Sequence, residues 1–313
     1  MPDWSDANPV ILIGHSAGAH TCLLLQQLLA QHAWGVGCNE NWIEAIICVA
    51  GVLNGSLLTY LYCDEATGRL KGPSSFLVRS ALTAMEALKM VARPAHDFSM
   101  DYDLHLDQWA GKANATRDEI LAFFDRDNRF AGGEDNLAFD LGLQGCRKAN
   151  KKFRTKGNTY YFSLVTRASH EEALFGLPFG PKTQQPDASM NVLLKPAAQF
   201  HAFKPDFAAA PIPAWGSGDR SIAKWRENDG AVSSISQRTP FTARAEPLGG
   251  EGIFGRDPAS IEKGKWYFET IDAITGTRFD HLDPAFGARL KLPSMESAQA
   301  MLYAKLCALL QSL

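Results

Sequence analysis

Val10-Ile11-Leu12-Ile13-Gly14-His15-Ser16-Ala17-Gly18, running on into the helical stretch Ala19 to Ala33, decides the fold. Four consecutive apolar residues read as a parallel strand buried on both faces, and the small residues after them read as a sharp strand-to-helix turn. A G-x-S-x-G sequence in that setting is an elbow: its serine sits on a strained turn with the hydroxyl exposed, and its glycines let helix and strand pack closely. Ser16 is then the candidate nucleophile. The Ala17 N–H, at the positive end of the following helix, is a candidate oxyanion donor. The competing reading is an ordinary turn of small residues between a strand and a helix.

At 313 residues, 46% of them hydrophobic, the chain can build one large α/β domain or two smaller ones. A formal net charge of -3 gives no electrostatic reason to expect nucleic acid. No window reads as an uninterrupted transmembrane segment. Cys22, Cys38, Cys48, Cys63, Cys146 and Cys307 lack C-x-x-C spacing and read as buried free thiols. The first residues have neither the basic start nor the apolar core of a secretory signal, so a cytoplasmic location is the expectation.

Outward from the elbow, the pattern predicts a central strand at Val10–Ile13, a helix over Ala17–Ala33 and a second parallel strand over Trp42–Val49. Ala50–Ser56 ends that strand in turn chemistry, at the edge where α/β folds gather their ligands. Ser74–Val91 reads as an apolar helix, either core or a lid over an acyl pocket. Shorter helices are expected at Arg117–Phe124 and Asp135–Lys148, and strands at Thr159–Thr166 and Lys265–Ile271. Proline-rich residues 169–220 read as a long excursion over the site, and Met295–Leu310 as a closing amphipathic helix.

A serine nucleophile on this fold takes its carboxylate and then its histidine from later in the chain. His281 stands between the last strand and the final helix, where such a base is delivered; it also reads as a surface histidine paired with Asp280 or Asp283. For the carboxylate, Asp229 in the polar turn Trp225–Val232 competes with the loop acids Asp206 and Asp219.

Several blocks then fall in one consistent order: Gly14–Thr21, Leu106–Trp109, Asp135–Leu141, Asn158–Ser163, Trp225–Val232 and Asp280–Leu282. Together they resemble the staphylococcal and thermoalkalophilic Bacillus-type lipases and their plant and fungal relatives, with Ala50–Leu61 nearest the eukaryotic branch. The resemblance implies a single α/β-hydrolase domain over 1–313: a mostly parallel sheet with helices on both faces, lacking the N-terminal strands, with cap or lid insertions at 64–157 and 169–220. It implies a Ser16–Asp229–His281 triad that cleaves carboxylic esters, acylglycerols above all, with lipid-interface contact through a lid. No cofactor is required. Of the family's zinc ligands only the position of Asp135 is matched, so zinc is not expected, whereas Asp283 beside Pro284 leaves room for calcium.

Departures from the family pattern carry expectations of their own. The family's first oxyanion donor lies upstream of the elbow, which leaves Ala17 alone here, and Ala19 stands where a second glycine is usual. A sheet without its leading strands would leave Val10–Ile13 with an open edge and an uncovered apolar face. The chain then reads as an incomplete product of an ester hydrolase. The alternatives are a non-catalytic binding or interaction protein using that open edge, and an acyl transferase using the same triad.

Overall fold

A computed structural model describes residues 3–35, 37–72, 79, 83, 111–126, 133–173, 182–203, 222–241, 248–286 and 293–313. Strand β1 (Val10–His15), helix α1 (Ala17–Ala30) and strand β2 (Ile43–Val49) come first, then helices α2 (Arg117–Arg126), α3 (Leu137–Asp140) and α4 (Leu143–Asn150). Strand β3 (Tyr160–Val165) precedes an antiparallel hairpin of β4 (Ser169–Ala173) and β5 (Lys182–Pro186) and helix α5 (Lys195–Phe203). Strands β6 (Leu248–Glu251) and β7 (Trp266–Thr270) and helices α6 (Ile271–Thr275), α7 (Asp283–Phe286) and α8 (Pro293–Ser312) complete the order.

Five strands form one sheet in the order β1-β2-β3-β7-β6, every neighbouring pair parallel. β2 shows why these residues choose an interior strand. Ile46 and Cys48 point into the layer beneath α1, with Leu23, Leu29 and Tyr161. Ala45, Ile47 and Val49 point to the opposite layer, with Phe162, Leu164, Leu302 and Leu306 beneath α8. Alternating apolar residues thus feed two cores from one strand.

The register aligns the carboxyl ends. His15 lies opposite Val49, Val49 opposite Leu164, and Val165 opposite Thr270. The segments leaving β1, β2, β3 and β7 therefore start from one edge of the sheet, the edge where parallel α/β sheets carry their sites. A third apolar cluster of Leu57, Tyr60, Leu143, Trp225 and Ile235 supports the loops there.

Some expectations are corrected. β1 is an edge strand among the described residues, not the central one its apolar run suggests; as expected of a sheet without leading strands, Ile11 and Ile13 are 41% and 52% exposed because no described element covers that part of the strand. The predicted helix Ala17–Ala33 stops at Ala30, where His32 takes a positive φ of 54°. Asp135–Lys148 breaks into α3 and α4 at Gly142. Within 169–220 lie a β-hairpin and α5, regular structure that the proline content concealed. β6 was not foreseen, since Leu-Gly-Gly-Glu reads as a turn. All six cysteines are free, but only Cys38, Cys48, Cys63 and Cys146 are buried; Cys22 is half-buried and Cys307 is exposed, on the outward face of α8. Leu106–Trp109, and Ser74–Val91 apart from Arg79 and Thr83, lie outside the described residues. No described helix is long and apolar enough to cross a membrane.

Candidate active site

Ser16 sits between β1 and α1 with φ 56° and ψ -121°, a conformation that side chains rarely adopt and that costs roughly 1–3 kcal/mol. Backbone bonds hold it there: its N–H donates to the Val49 carbonyl at 3.0 Å, and its own carbonyl accepts from Ala19 at 3.2 Å and Val52 at 3.4 Å. The two elbow glycines contribute unequally. A Cβ on Gly14 would stand 2.4 Å from the Gly18 carbonyl oxygen, whereas one on Gly18 would meet nothing within 4 Å. Gly14 alone permits the close approach of strand and helix.

Chain continuing from β7 through α6 delivers His281 to the same edge. Its Nε2 lies 2.8 Å from Ser16 Oγ and its Nδ1 2.9 Å from Asp229 Oδ2. The carboxylate can only accept, so the proton sits on Nδ1 and the Nε2 lone pair faces the serine hydroxyl. The His281 main-chain N–H also donates to the Asp229 carbonyl at 2.9 Å, which fixes the two residues to each other by backbone as well as side chain.

Asp229 has no exposed surface. An ionised carboxylate so placed must find its solvation in the protein. Besides His281, Oδ2 accepts from Thr166 Oγ1 at 2.5 Å and Gln237 Nε2 at 3.0 Å, and Oδ1 from the N–H groups of Ala231 at 2.9 Å and Val232 at 2.8 Å. Burial pushes the carboxyl pKa up. The His281 charge and the hydrogen bonds of His281, Thr166 and Ala231 outweigh it and hold the group below the usual carboxylate range. Burial likewise pulls the His281 pKa down, and the Asp229 charge and hydrogen bond overcome it, leaving His281 raised.

The turn carrying Asp229 is itself anchored. Ser56 Oγ, from the loop after β2, donates to the Ala231 carbonyl at 2.6 Å, and the His201 Nε2–H of α5 reaches the same oxygen at 3.0 Å. Arg167, just past β3, holds Asp272 of α6 with Nε and Nη2, the latter at 2.6 Å, and approaches Glu227 at 3.4 Å. Thr166, Gln237, Ser56 and His201 all escaped the sequence reading. Thr166 and Ser56 each had one signal, a position at or just past the carboxyl end of a predicted strand; Gln237 and His201 had none.

Of the remaining sequence candidates, Ala17 opens α1 directly after Ser16, where helical N–H groups lack intrahelical partners. Asp206 and Asp219 lie outside the described residues. Asp135 is exposed, and among the described residues no cluster of three or more His, Cys, Asp or Glu side chains could hold a metal. Asp280 and Asp283 are buried and occupied by backbone: Asp280 accepts from Asn191 at 2.7 Å and Leu282 at 2.9 Å, and Asp283 accepts the Asp280 N–H at 2.7 Å.

No family model matches the chain. It is similar to Lipase 1 of Staphylococcus aureus strain MRSA252, 24% identical over 303 residues, and to Lipase 2 of Staphylococcus aureus, 25% identical over 301 residues. In each case 90% of this chain and 36% of the relative are covered, so the chain spans about a third of the length of these curated relatives. Its fold is similar to that of EstA from Clostridium botulinum, with a TM-score of 0.64, 22% identity, and coverage of 99% of this chain and 66% of the other. Staphylococcus hyicus lipase superposes with a TM-score of 0.60 at 20% identity, covering 100% of this chain and 73% of the other. The chain therefore has the α/β-hydrolase fold of these lipases and esterases, and the resemblance read from its ordered motifs extends over most of its length.

Proposed function

We propose that this chain is a serine carboxylic ester hydrolase of the lipase type, with acylglycerols as its substrate class. The observation that carries this reading is the continuous relay from Ser16 Oγ through His281 to Asp229, at 2.8 and 2.9 Å. The similarity to staphylococcal lipases supports it independently.

The chemistry follows from the protonation states. As Ser16 Oγ attacks the ester carbonyl carbon, its proton passes to His281 Nε2, and the carbonyl oxygen becomes an oxyanion facing the Ala17 N–H. Positive charge now on the imidazole is balanced by Asp229, whose donors keep it ionised and oriented. His281 returns the proton to the departing alkoxide, which leaves as the alcohol. Water then enters, gives its proton to Nε2 and attacks the acyl-serine; collapse releases the carboxylic acid and restores Ser16. The strained turn at Ser16 and the buried turn at Asp229 hold the three groups in reacting geometry before substrate arrives.

The test is covalent labelling of the chain with a fluorophosphonate, alongside turnover of short- and long-chain p-nitrophenyl esters, with Ser16→Ala as control. Labelling and turnover lost together in the variant are the expected result. A folded parent that neither labels nor turns over would overturn the reading.

A further inference from the structure

His15 precedes the nucleophile and is the last residue of β1. Its Nε2 lies 2.7 Å from the main-chain oxygen of His281, across 266 positions of sequence, and the two imidazole rings stand 5.0 Å apart at 42°. A carbonyl oxygen can only accept, so Nε2 of His15 carries the proton. His281 is thereby held at both of its peptide groups: its N–H by the Asp229 carbonyl and its C=O by the His15 ring. We propose that His15 is a positioning residue for the ester hydrolysis proposed above, clamping the main chain of the base so that the His281 ring stays between Ser16 and Asp229 throughout the proton transfers.

The clamp has a chemical requirement, which its surroundings meet. A cation on His15 would stand beside the imidazolium that forms on His281 in each turnover. Burial first, and the neighbouring His281 ring second, lower the His15 pKa to about 4 against the opposing pull of its own hydrogen bond to the His281 carbonyl and of Asp229, so the ring is neutral near pH 7. A neutral ring with one fixed N–H gives a donor to the base without adding charge to it. Lysine or arginine could supply the donor only with a charge, and phenylalanine would supply the shape without the donor.

His15→Phe and His15→Gln separate these functions in the full chain. Active sites are counted first by fluorophosphonate labelling, so that rates refer to competent molecules. With the donor gone, His15→Phe should lose about tenfold or more in kcat with KM within about twofold of the parent. The acid limb of its kcat profile should move to lower pH, because a loosened His281 gains less from Asp229. His15→Gln, which presents an uncharged N–H, should recover most of the kcat and the parental profile. Equal kcat and an unmoved acid limb in His15→Phe would overturn the clamp, as would a His15→Gln variant no better than His15→Phe.

Should His15→Phe fail to fold, nitrogen NMR of the histidine-labelled parent decides the matter. His15 should show the Nε2-protonated tautomer unchanged from about pH 8 to about pH 5. Titration in that range, or the other tautomer, refutes the proposal. That measurement reads His15 even in a parent that neither labels nor hydrolyses esters, so failure of the hydrolase reading and failure of the clamp remain distinguishable.

Discussion

Acid should unfold this protein through His201, and the effect can be sized. The ring has no exposed surface; its Nε2–H donates to Ala231 at 3.0 Å, and its Nδ1 faces Ser233 Oγ at 3.4 Å. Burial is the largest influence and, aided by His281 and opposed by Asp229 and the Ala231 hydrogen bond, lowers the pKa from 6.5 to about 4. Between those two values the unfolded chain binds a proton at this histidine and the folded chain does not. Stability therefore falls as pH drops through that window and levels off below it. A shift from 6.5 to about 4, at about 1.4 kcal/mol per unit, comes to between about 3 and 4 kcal/mol, of which about 3 falls between pH 7 and pH 4. Folding free energies total roughly 5–15 kcal/mol, so this one ring holds a large share of the acid tolerance. The assay is urea unfolding at intervals from about pH 7 to about pH 4, comparing the parent with His201→Gln, which keeps a donor for Ala231 and cannot titrate. His15, Asp229 and His281 are present in both proteins, so their contributions drop out of the comparison except for the coupling of Asp229 and His281 to His201. The parent's advantage over the variant should shrink by about 3 kcal/mol across the range. An advantage constant to within about 0.5 kcal/mol would refute the reasoning.

The elbow glycines should separate in thermal melts. Gly14→Ala, whose Cβ would sit 2.4 Å from a backbone oxygen, should lose about 3 kcal/mol or more, while Gly18→Ala, in open space within a helix, should gain about 0.5–1 kcal/mol. The reverse ranking would sink the packing account of the elbow. Thr166→Val keeps the side chain's shape and removes a donor to the buried Asp229 carboxylate, so urea unfolding near pH 7 should show a loss of about 2 kcal/mol. A loss under about 0.5 kcal/mol would mean that the four remaining donors suffice.

Ser16 was legible because its geometry is local: strand, turn and helix lie within a few residues, and Gly14 is demanded by a contact only four positions along. The strands β2, β3 and β7 were legible because each feeds apolar side chains to buried layers, which leaves them rich in aromatic and aliphatic residues. His281 and Asp229 could be named from chain order and ordered motifs, but not their surroundings. Gln237 and Ser56 sit in segments with no periodicity, and their value lies in what tertiary packing sets opposite them, the Asp229 carboxylate and the Ala231 carbonyl. His201 on α5 read as one more histidine in a proline-rich excursion. From its own residues β1 read as a central strand, because an apolar run reports what a strand is suited to be buried against, not whether a neighbour is there; its open edge followed only from the leading strands that the family pattern has and this chain lacks.

The hydrogen bond between Ser16 and His281 closes a loop of 265 positions. β1 and α1 can form early from neighbouring residues, but β7 must first find its place against β3 before the segment beyond it can bring a histidine to the serine. A half-folded chain carries the serine on its turn with no base within reach, chemically as inert as any surface hydroxyl. Reactivity is thus postponed until a contact that spans most of the chain has been made. Regain of labelling after dilution from denaturant would mark the end of folding rather than its beginning, and a nascent chain with the proposed activity would have no base for its serine until its structure is finished.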